Sequence, residues 1–220
     1  MTTPDLARIE RLAATHRLAV FGGFHPAAGD DCPDGTGTLL LIGPSEPGFW
    51  AHVTTMPEWQ DGAPDPLDRW SKRVLDDIAA TFSGQAIFPS DGPPYPPFIR
   101  WAQRTGRVWA SPVQILVHDR AGLMVSFRGA LALPGRIDLP APPLASPCDT
   151  CPDRPCETAC PASALTPAGY DVPACHAFLD TSAGQDCLSS GCHTRRACPL
   201  SQAYGRLPEQ SAYHMRLFHR

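Results

Sequence analysis

The crowding of cysteines toward the C-terminus constrains this chain more than any other feature. Of nine cysteines in 220 residues, only Cys32 stands upstream. The other eight are Cys148, Cys151, Cys156, Cys160, Cys175, Cys187, Cys192 and Cys198. Cys160 and Cys198 each precede a proline, as does the last cysteine of the runs that bind cubane iron-sulfur clusters. The segment is too short and polar to form its own core, so we expect bound metal to hold it together.

The cysteine order predicts how the thiolates are shared between two clusters. Thiolates select soft metals, and four of them bind each [4Fe-4S] cluster. In two-cluster ferredoxins the first three cysteines of a run bind one cluster, and the cysteine next to proline reaches the other. We therefore predict a first ligand set of Cys148, Cys151, Cys156 and Cys198, and a second set of Cys160, Cys175, Cys187 and Cys192.

Two other uses of these cysteines remain open. Four residues separate Cys151 from Cys156 where two are usual, so the assignment of each cysteine to a cluster is less constrained than the number of clusters. Zinc sites with four thiolates also use a two-residue spacer. A disulfide framework is the other alternative, although a reducing compartment disfavours it. The two Cys-Pro pairs favour iron-sulfur clusters over zinc, because a zinc site has no need of them.

Charge and hydropathy exclude some partners and predict a location. The formal net charge is −4, without a run of like charge, which argues against nucleic acid or an acidic membrane surface as the main partner. No stretch reaches the roughly 20 apolar residues of a membrane span. The N-terminal segment contains Asp5, Glu10 and Arg11, so it is typical of an amphipathic helix and not of a signal peptide. We expect a cytoplasmic protein, whose oligomeric state the composition does not constrain.

Mixed helices and strands are predicted before the cysteines. Leu6, Ile9 and Ala13 recur at helical spacing until about His16, after a Thr3-Pro4 start. The other predicted elements are strands over 17–21 and 38–42, a helix from Asp65-Pro66 to before Gly84, and a rigid proline-rich loop over 92–97. The strand over 38–42 is apolar throughout, so we expect it to be buried on both faces.

A hairpin and a stiff linker complete the predicted organisation. Residues 113–118 and 123–133 are β-rich runs separated by Asp119-Arg120-Ala121-Gly122, a pattern typical of a hairpin. Prolines between 134 and 147 then indicate a linker. The chain is thus predicted to be α+β, with an α/β sandwich domain over 1–140 and a small ferredoxin-like two-cluster domain over 141–220.

Both parts resemble known families. The order of the cysteines, with the isolated Cys175 about fifteen residues after Cys160, is similar to the dicluster ferredoxin module of epoxyqueuosine reductases and reductive dehalogenases. Residues 17–140 resemble cobalamin-processing proteins of the CblC type, through the Gly22-Gly23-Phe24-His25-Pro26 segment, the Leu39–Ile42 strand, the Asp65–Asp68 segment and the hairpin. The first resemblance implies electron transfer to a cobalamin, and the second implies a nitroreductase-like fold that binds a corrinoid.

The second resemblance also implies where a corrin ring would lie. Carried over by position, its contacts fall at Ser111, Val113, Gln114, Val125, Ser126 and Phe127. Asp119 replaces the proline of that family's hairpin turn, and the cysteine segment replaces its glutathione-binding part. Arg128 follows in an apolar strand, where it needs an anionic partner, either a corrin side group or an internal carboxylate.

Three functional hypotheses follow. In the first, two [4Fe-4S] clusters receive single electrons from a redox protein and pass them to a corrinoid, making the chain a corrinoid reductase or processing protein. The second is a plain ferredoxin carrier whose upstream domain docks partners. The third is a cobalamin-dependent reductase of an organic substrate, with Tyr95, His25 or His118 as the acid. No catalytic residue is assigned, since a histidine at a hairpin turn such as His118 is more often solvated.

Overall fold

The computed structural model describes residues 5–220 and shows an α+β protein with small antiparallel sheets. Its contacts divide the described residues into two compact units. Unit 1 comprises residues 5–107 and 126–143, and unit 2 comprises residues 108–125 and 144–220. In the described part of the chain, no helix has the length and apolar character needed to cross a membrane.

Unit 1 is built on a four-stranded antiparallel sheet with the order β1-β2-β6-β3. The strands of unit 1 are β1 (Leu18–Phe24), β2 (Thr38–Pro44), β3 (Gln85–Ile87) and β6 (Gly129–Leu133). Its helices are α1 (Leu6–Thr15), α2 (Phe49–Val53), α3 (Pro57–Gln60), α4 (Pro66–Thr81) and α5 (Phe98–Arg104). All seven residues of β2 are buried, which confirms the prediction of a strand covered on both faces.

Helices pack on this sheet through the apolar positions that the sequence predicted. Ile9 and Ala13 of α1 are buried, and Asp5 caps that helix by accepting the Arg8 N–H at 2.6 Å. The predicted Thr3-Pro4 start lies outside the described residues. On α4, Trp70 is fully buried and its ring meets that of Phe49 edge-on, with the centroids 5.6 Å apart. Unit 1 thus has an apolar core of its own.

Unit 2 consists of short elements. Its strands are β4 (Val108–Ala110), β5 (Leu116–His118), β7 (Leu165–Thr166) and β8 (Gly169–Tyr170). Its α-helices are α6 (Val172–Leu179), α7 (Gln185–Ser190), α8 (His193–Ala197), α9 (Pro199–Tyr204) and α10 (Pro208–Phe218), with 3₁₀ turns at Pro155–Glu157 and Ser182–Gly184. The strands form two separate two-stranded sheets, β4-β5 and β7-β8.

The predicted hairpin between 113–118 and 123–133 is wrong. Val108 pairs instead with His118 and Ala110 with Leu116, so the hairpin is β4-β5, and β6 joins the sheet of unit 1 between β2 and β3. The connection of β4 to β5 is a turn in which Ser111 accepts the Gln114 N–H at 2.9 Å and Gln114 has a φ of 64°. Ser111-Pro112 therefore acts as a turn signal, and Val113 packs into the interior from that turn.

The boundary between the units also differs from a single cut in the sequence. The passage from residue 143 to residue 144 lies within the predicted linker. Residues 108–125, however, which the sequence analysis assigned to the first domain, belong to the same unit as the eight clustered cysteines. The predicted domains 1–140 and 141–220 thus differ from the observed units, because the β4-β5 hairpin and the residues up to 125 belong to unit 2.

Candidate metal centre

All eight clustered cysteines lie in unit 2, and Cys32 lies in unit 1. Cys148 and Cys151 are in the loop that opens the C-terminal segment of unit 2. The remaining six lie on or beside its short helical elements: Cys156 in the first 3₁₀ turn, Cys160 just after it, Cys175 in α6, Cys187 in α7, Cys192 at the N-cap of α8 and Cys198 at the N-cap of α9. All nine are free thiols. The disulfide alternative therefore has no counterpart in the structure of residues 5–220.

Electrostatic interactions join Cys148, Cys151, Cys156 and Cys198, which we call the first quartet. Burial raises the pKa of the Cys156 thiol to about 11, and the thiols of Cys148, Cys198 and Cys151 raise it further by charge repulsion. The pKa of Cys148 is raised by burial and again by Cys198 and Cys151. Cys198 and Cys151 thus act on the pKa of both Cys148 and Cys156.

The same evidence joins Cys160, Cys175, Cys187 and Cys192, the second quartet. Burial raises the pKa of Cys175, and the thiols of Cys192 and Cys160 add to that rise. Burial also raises the pKa of Cys187, as does Cys192. Each of these repulsions is between members of the same quartet. The assignment of these cysteines to two ligand sets, made from the cysteine order, stays a prediction.

Apolar side chains surround members of both quartets. Cys156 and Cys198 belong to a buried cluster with Val113, Val117, Leu123 and Leu165. Partly buried residues packed against this cluster are Trp109, Ile115, Cys148, Cys160, Cys192 and Leu200. The β4-β5 hairpin and the segment after it thus supply apolar cover to Cys156 and Cys198.

Polar groups hold the chain that follows β5 against the cysteine-bearing helices. The Leu123 N–H donates to the Ser201 Oγ at 2.9 Å, and the Arg195 Nη1 donates to the Leu123 carbonyl at 2.5 Å. The Arg206 Nη1 donates to the Met124 carbonyl at 3.2 Å. Gly122 has a φ of 55°, and a Cβ placed there would lie 2.6 Å from the Ser201 nitrogen. Only glycine fits this close approach.

Donors also reach the sulfur atoms themselves. The Ala164 N–H lies 3.3 Å from the Cys160 Sγ. Burial raises the pKa of Cys187, and a backbone N–H of His193 partly opposes that rise; burial also raises the pKa of Cys175, and the Tyr170 hydroxyl partly opposes it. Hydrogen bonds to the sulfurs are among the features by which proteins stabilise and tune iron-sulfur clusters. Unit 2 thus offers eight thiols, the donor type that iron-sulfur clusters require.

The cysteines are not arranged around a single point. Among residues 5–220, no three His, Cys, Asp or Glu side chains converge closely enough to hold one metal ion. In a cubane cluster each thiolate binds a different iron atom, so its four ligands surround the cluster without meeting at one ion. A zinc site instead needs all its ligands on one ion. A zinc site thus requires four ligand atoms at bonding distance from one ion, whereas a cubane cluster requires four sulfurs spaced around a cage of four iron atoms.

The six residues implied for corrin contact do not form one exposed strand surface. Ser111, Val113 and Val125 in unit 2 are 3%, 0% and 8% exposed. Gln114 is exposed, and its Nε2 lies 3.4 Å from the Pro167 carbonyl. Ser126 and Phe127 belong to unit 1. The strand pairing on which this corrin surface depended is absent, because β5 pairs with β4.

The residues considered as acids or ligands have structural partners. His118 is fully buried, so the expectation of a solvated histidine is wrong. Its Nδ1 accepts the N–H groups of Arg120 at 3.1 Å and Ala121 at 3.2 Å, which places the ring proton on Nε2. The His25 Nε2 lies 2.9 Å from the Ile137 carbonyl. The Arg128 Nη1 lies 3.6 Å from the Asp68 carboxylate. Of the two anionic partners considered for Arg128, the structure thus has the carboxylate of the same chain.

Unit 1 also contains a cleft of about 400 Å³. Phe88 and Phe127 form its apolar wall, and Lys72 and Arg128 line it with Asp68. These charges are engaged locally: Arg128 with Asp68, and Lys72 with Asp76 at 3.1 Å. Phe127 is the one corrin-contact residue on this wall, and the cleft brings together no further predicted ligand.

Sequence reasoning missed Tyr170 and Ser201. Tyr170 stands five residues before Cys175, and Ser201 stands three residues after Cys198. Their nearness to cysteines was the available signal, but the partners that give them a role, the Cys175 sulfur and the Leu123 amide, depend on the folded chain. No family model, curated protein or solved structure matches the chain at a significant level.

Proposed function

We propose that unit 2 is an iron-sulfur electron-transfer module. The first quartet would hold one [4Fe-4S] cluster and the second quartet the other. The observation that supports this proposal is the gathering of all eight clustered cysteines in one unit, where Cys156 and Cys198 share a buried cluster against which Cys148, Cys160 and Cys192 pack. When bound, the clusters would accept and release single electrons.

The surrounding residues have defined tasks in such a module. Thiols must lose their protons to bind metal, and burial raises the pKa values of Cys148, Cys156, Cys175 and Cys187. Metal binding therefore releases protons and replaces repulsion between thiolates by ligation. Val113, Val117 and Leu123 keep water from the first quartet, while the N–H groups of Ala164 and His193 stabilise sulfur charge in the second.

A redox partner protein is the acceptor or donor that the geometry favours. The corrinoid hypothesis required a continuous strand surface, whereas three of its six residues are less than one-tenth exposed and the strands concerned are not paired. These residues do not fit a corrin ring, and no step is assigned to a corrinoid. A plain two-cluster electron carrier agrees better with the site, and it needs no catalytic acid at His25, His118 or Tyr95.

Metal analysis of anaerobically purified full-length protein tests the proposal. We expect about eight iron atoms and about eight acid-labile sulfides per chain, as two cubane clusters require. A Cys156→Ser variant should lose about half of both, whereas Cys32→Ser, the matched control in unit 1, should lose none. Zinc bound in place of iron, or equal losses in the two variants, would contradict the proposal.

The acceptor is tested separately. Hydroxocobalamin is titrated into the oxidised, cluster-loaded protein while the corrin absorption bands are followed. We expect the bands to remain unchanged at all protein concentrations. A saturable shift of these bands would show that a corrinoid binds after all, and would restore the reductase hypothesis in place of the plain carrier.

A further inference from the structure

Thr194 is a buried polar residue that lies between two of the clustered cysteines. It belongs to α8, a short helix whose N-cap is Cys192 and whose C-cap is Cys198. The residue is 0% exposed. Within the described part of the chain, its hydroxyl oxygen has no hydrogen-bond partner. A buried hydroxyl without a partner is costly and uncommon in folded proteins, so this one calls for an explanation.

The break between α7 and α8 explains why this hydroxyl does not bond to its own helix. A helical threonine commonly donates to the carbonyl four residues earlier, as Thr81 does in α4 at 2.9 Å. Four residues before Thr194 stands Ser190, the last residue of α7, and Gly191 then turns the chain with a φ of 96°. The Gly191 carbonyl accepts the Arg196 Nε at 2.9 Å. The Thr194 hydroxyl therefore needs a partner other than the helix backbone.

The surroundings of α8 place this hydroxyl beside the first quartet. Thr194 and Cys198 are four residues apart, and side chains with this separation lie on the same face of a helix. α8 also packs against the 3₁₀ turn Pro155–Glu157, which contains Cys156. Cys156 and Cys198 are themselves 7% and 9% exposed. Spacing and packing thus put the hydroxyl on the side of α8 that carries the Cys198 thiol.

We propose that Thr194 is a positioning residue whose hydroxyl donates a hydrogen bond to the Cys198 thiolate when the first cluster is bound. This inference rests on the proposed iron-sulfur function and adds a residue to that site. A hydroxyl has one hydrogen to donate, and a thiolate accepts without donating, so the two groups match. A hydrogen bond to a charged acceptor is of the stronger class, and hydrogen bonds to sulfur are among the features that set the properties of iron-sulfur clusters.

The proposed bond has a consequence for retention of the first cluster. In the loaded protein, the hydroxyl gains a partner that offsets the cost of its burial, and the charged sulfur gains a donor. Without the hydroxyl, the Cys198 thiolate loses this donor at a position that is only 9% exposed. The first cluster should then be lost faster, whereas retention of the second cluster should not change.

Iron release from the loaded full-length protein tests this inference in a matched pair of variants. Thr194→Val keeps the shape of the side chain and removes the hydroxyl, whereas Thr194→Ser keeps the hydroxyl. An excess of a ferrous chelator is added anaerobically, and the absorbance of its iron complex is followed. We expect about half of the iron, that of one cluster, to leave Thr194→Val about tenfold faster than it leaves the wild type. Thr194→Ser should release iron at about the wild-type rate.

Thr181→Val is the control for a threonine hydroxyl elsewhere in unit 2. Thr181 is exposed, and its Oγ1 already donates to the Phe178 carbonyl at 2.7 Å, so its iron release should equal that of the wild type. Release from Thr194→Val at the wild-type rate or more slowly would overturn the role of Thr194 and leave the proposed function intact. Equal acceleration in Thr194→Val and Thr194→Ser would also overturn it, because restoring the hydroxyl would then restore nothing. Wild-type protein without iron would overturn the proposed function itself.

A second measurement decides the matter if Thr194→Val does not load its clusters. Electron-nuclear double resonance of reduced wild-type protein made with deuterated threonine should reveal deuterons coupled to a cluster. Thr194→Ser made in the same medium should lose the strongest of these couplings. If the wild-type protein shows no coupled deuteron, or if Thr194→Ser keeps every coupling, the hydroxyl does not lie beside the cluster and the inference fails.

Discussion

Unit 1 and unit 2 form their interiors in different ways. The interior of unit 1 is a sheet whose central strand, β2, is wholly buried and is covered by large side chains such as Trp70 and Phe49. The interior of unit 2 includes Cys156, Cys187 and Cys198 among its buried residues, and its strands are two or three residues long. Elements that short bury too little apolar surface to offset the entropy of ordering them. From this contrast we expect unit 1 to depend on apolar packing and unit 2, if the proposed clusters bind, to depend on ligation.

Removal of iron should have the largest effect and should be confined to unit 2. Small domains that fold around metal derive free energy of the order of 10 kcal/mol from ligation and unfold without it. We expect an anaerobic iron chelator to abolish hydrogen-exchange protection of peptides from 144–220 while peptides from β2 and α4 keep theirs. Mass spectrometry of exchanged full-length protein measures both.

The Cys32→Ser variant serves as the control, because its chelator response should equal that of the wild type. If residues 144–220 kept their protection in the iron-free protein, the expected difference between the two units would be contradicted, because unit 2 would then be stable through its own packing.

Removal of the Trp70 side chain should destabilise unit 1 and spare the metal. Trp70 is 0% exposed, and its truncation to alanine leaves a large cavity between α4 and Phe49. Such a change costs about 3–5 kcal/mol. Urea unfolding followed by circular dichroism should show the loss, and iron measured on the same sample before denaturant is added should equal the wild-type value.

Trp59→Ala is the matched control. Trp59 is only half-buried, and its ring meets that of Trp50 edge-on with the centroids 5.0 Å apart, so its loss should cost clearly less. Equal costs for the two substitutions would show that the interior around Trp70 is not what stabilises unit 1.

Local sequence patterns predicted those parts of the fold that depend on neighbours along the chain. The continuous apolar run over 38–42 became the central strand β2, and the spacing of Leu67, Trp70, Val74 and Ile78 became the buried face of α4. The proline-rich segment over 92–97 is neither helix nor strand, as predicted. All eight clustered cysteines lie in unit 2, and their division into two ligand sets stays a prediction.

The hairpin could not be predicted in the same way. Residues 123–128 carry apolar, β-branched and aromatic side chains, yet they form no strand, because Ser201, Arg195 and Arg206 bind the backbone at Leu123 and Met124. These partners lie more than seventy residues away, and no local pattern contains them. The solvation of His118 was wrongly predicted for a related reason. Local sequence does not show which distant residues pack over a side chain near a turn, and His118 is fully buried.

The contact between Ser201 and Leu123 allows a finer test of unit 2. In Ser201→Ala the Leu123 N–H loses its acceptor, and because Leu123 is 1% exposed, water does not replace it. An unsatisfied buried donor costs about 1–3 kcal/mol. Hydrogen exchange of a peptide spanning 118–125 should therefore speed up by about tenfold or more, since 1.4 kcal/mol corresponds to a factor of ten.

Ser71→Ala is the matched control, because the buried Ser71 hydroxyl donates to the Leu67 carbonyl within its own helix, where the backbone bond of α4 remains. Its removal should change the exchange of α4 by much less, a cost of about 0.5 kcal/mol. Equal effects of the two serine substitutions would mean that the segment after β5 is held by apolar packing alone. The hydrogen bond from the Leu123 N–H to Ser201 would then not stabilise the apolar residues that cover the cysteines.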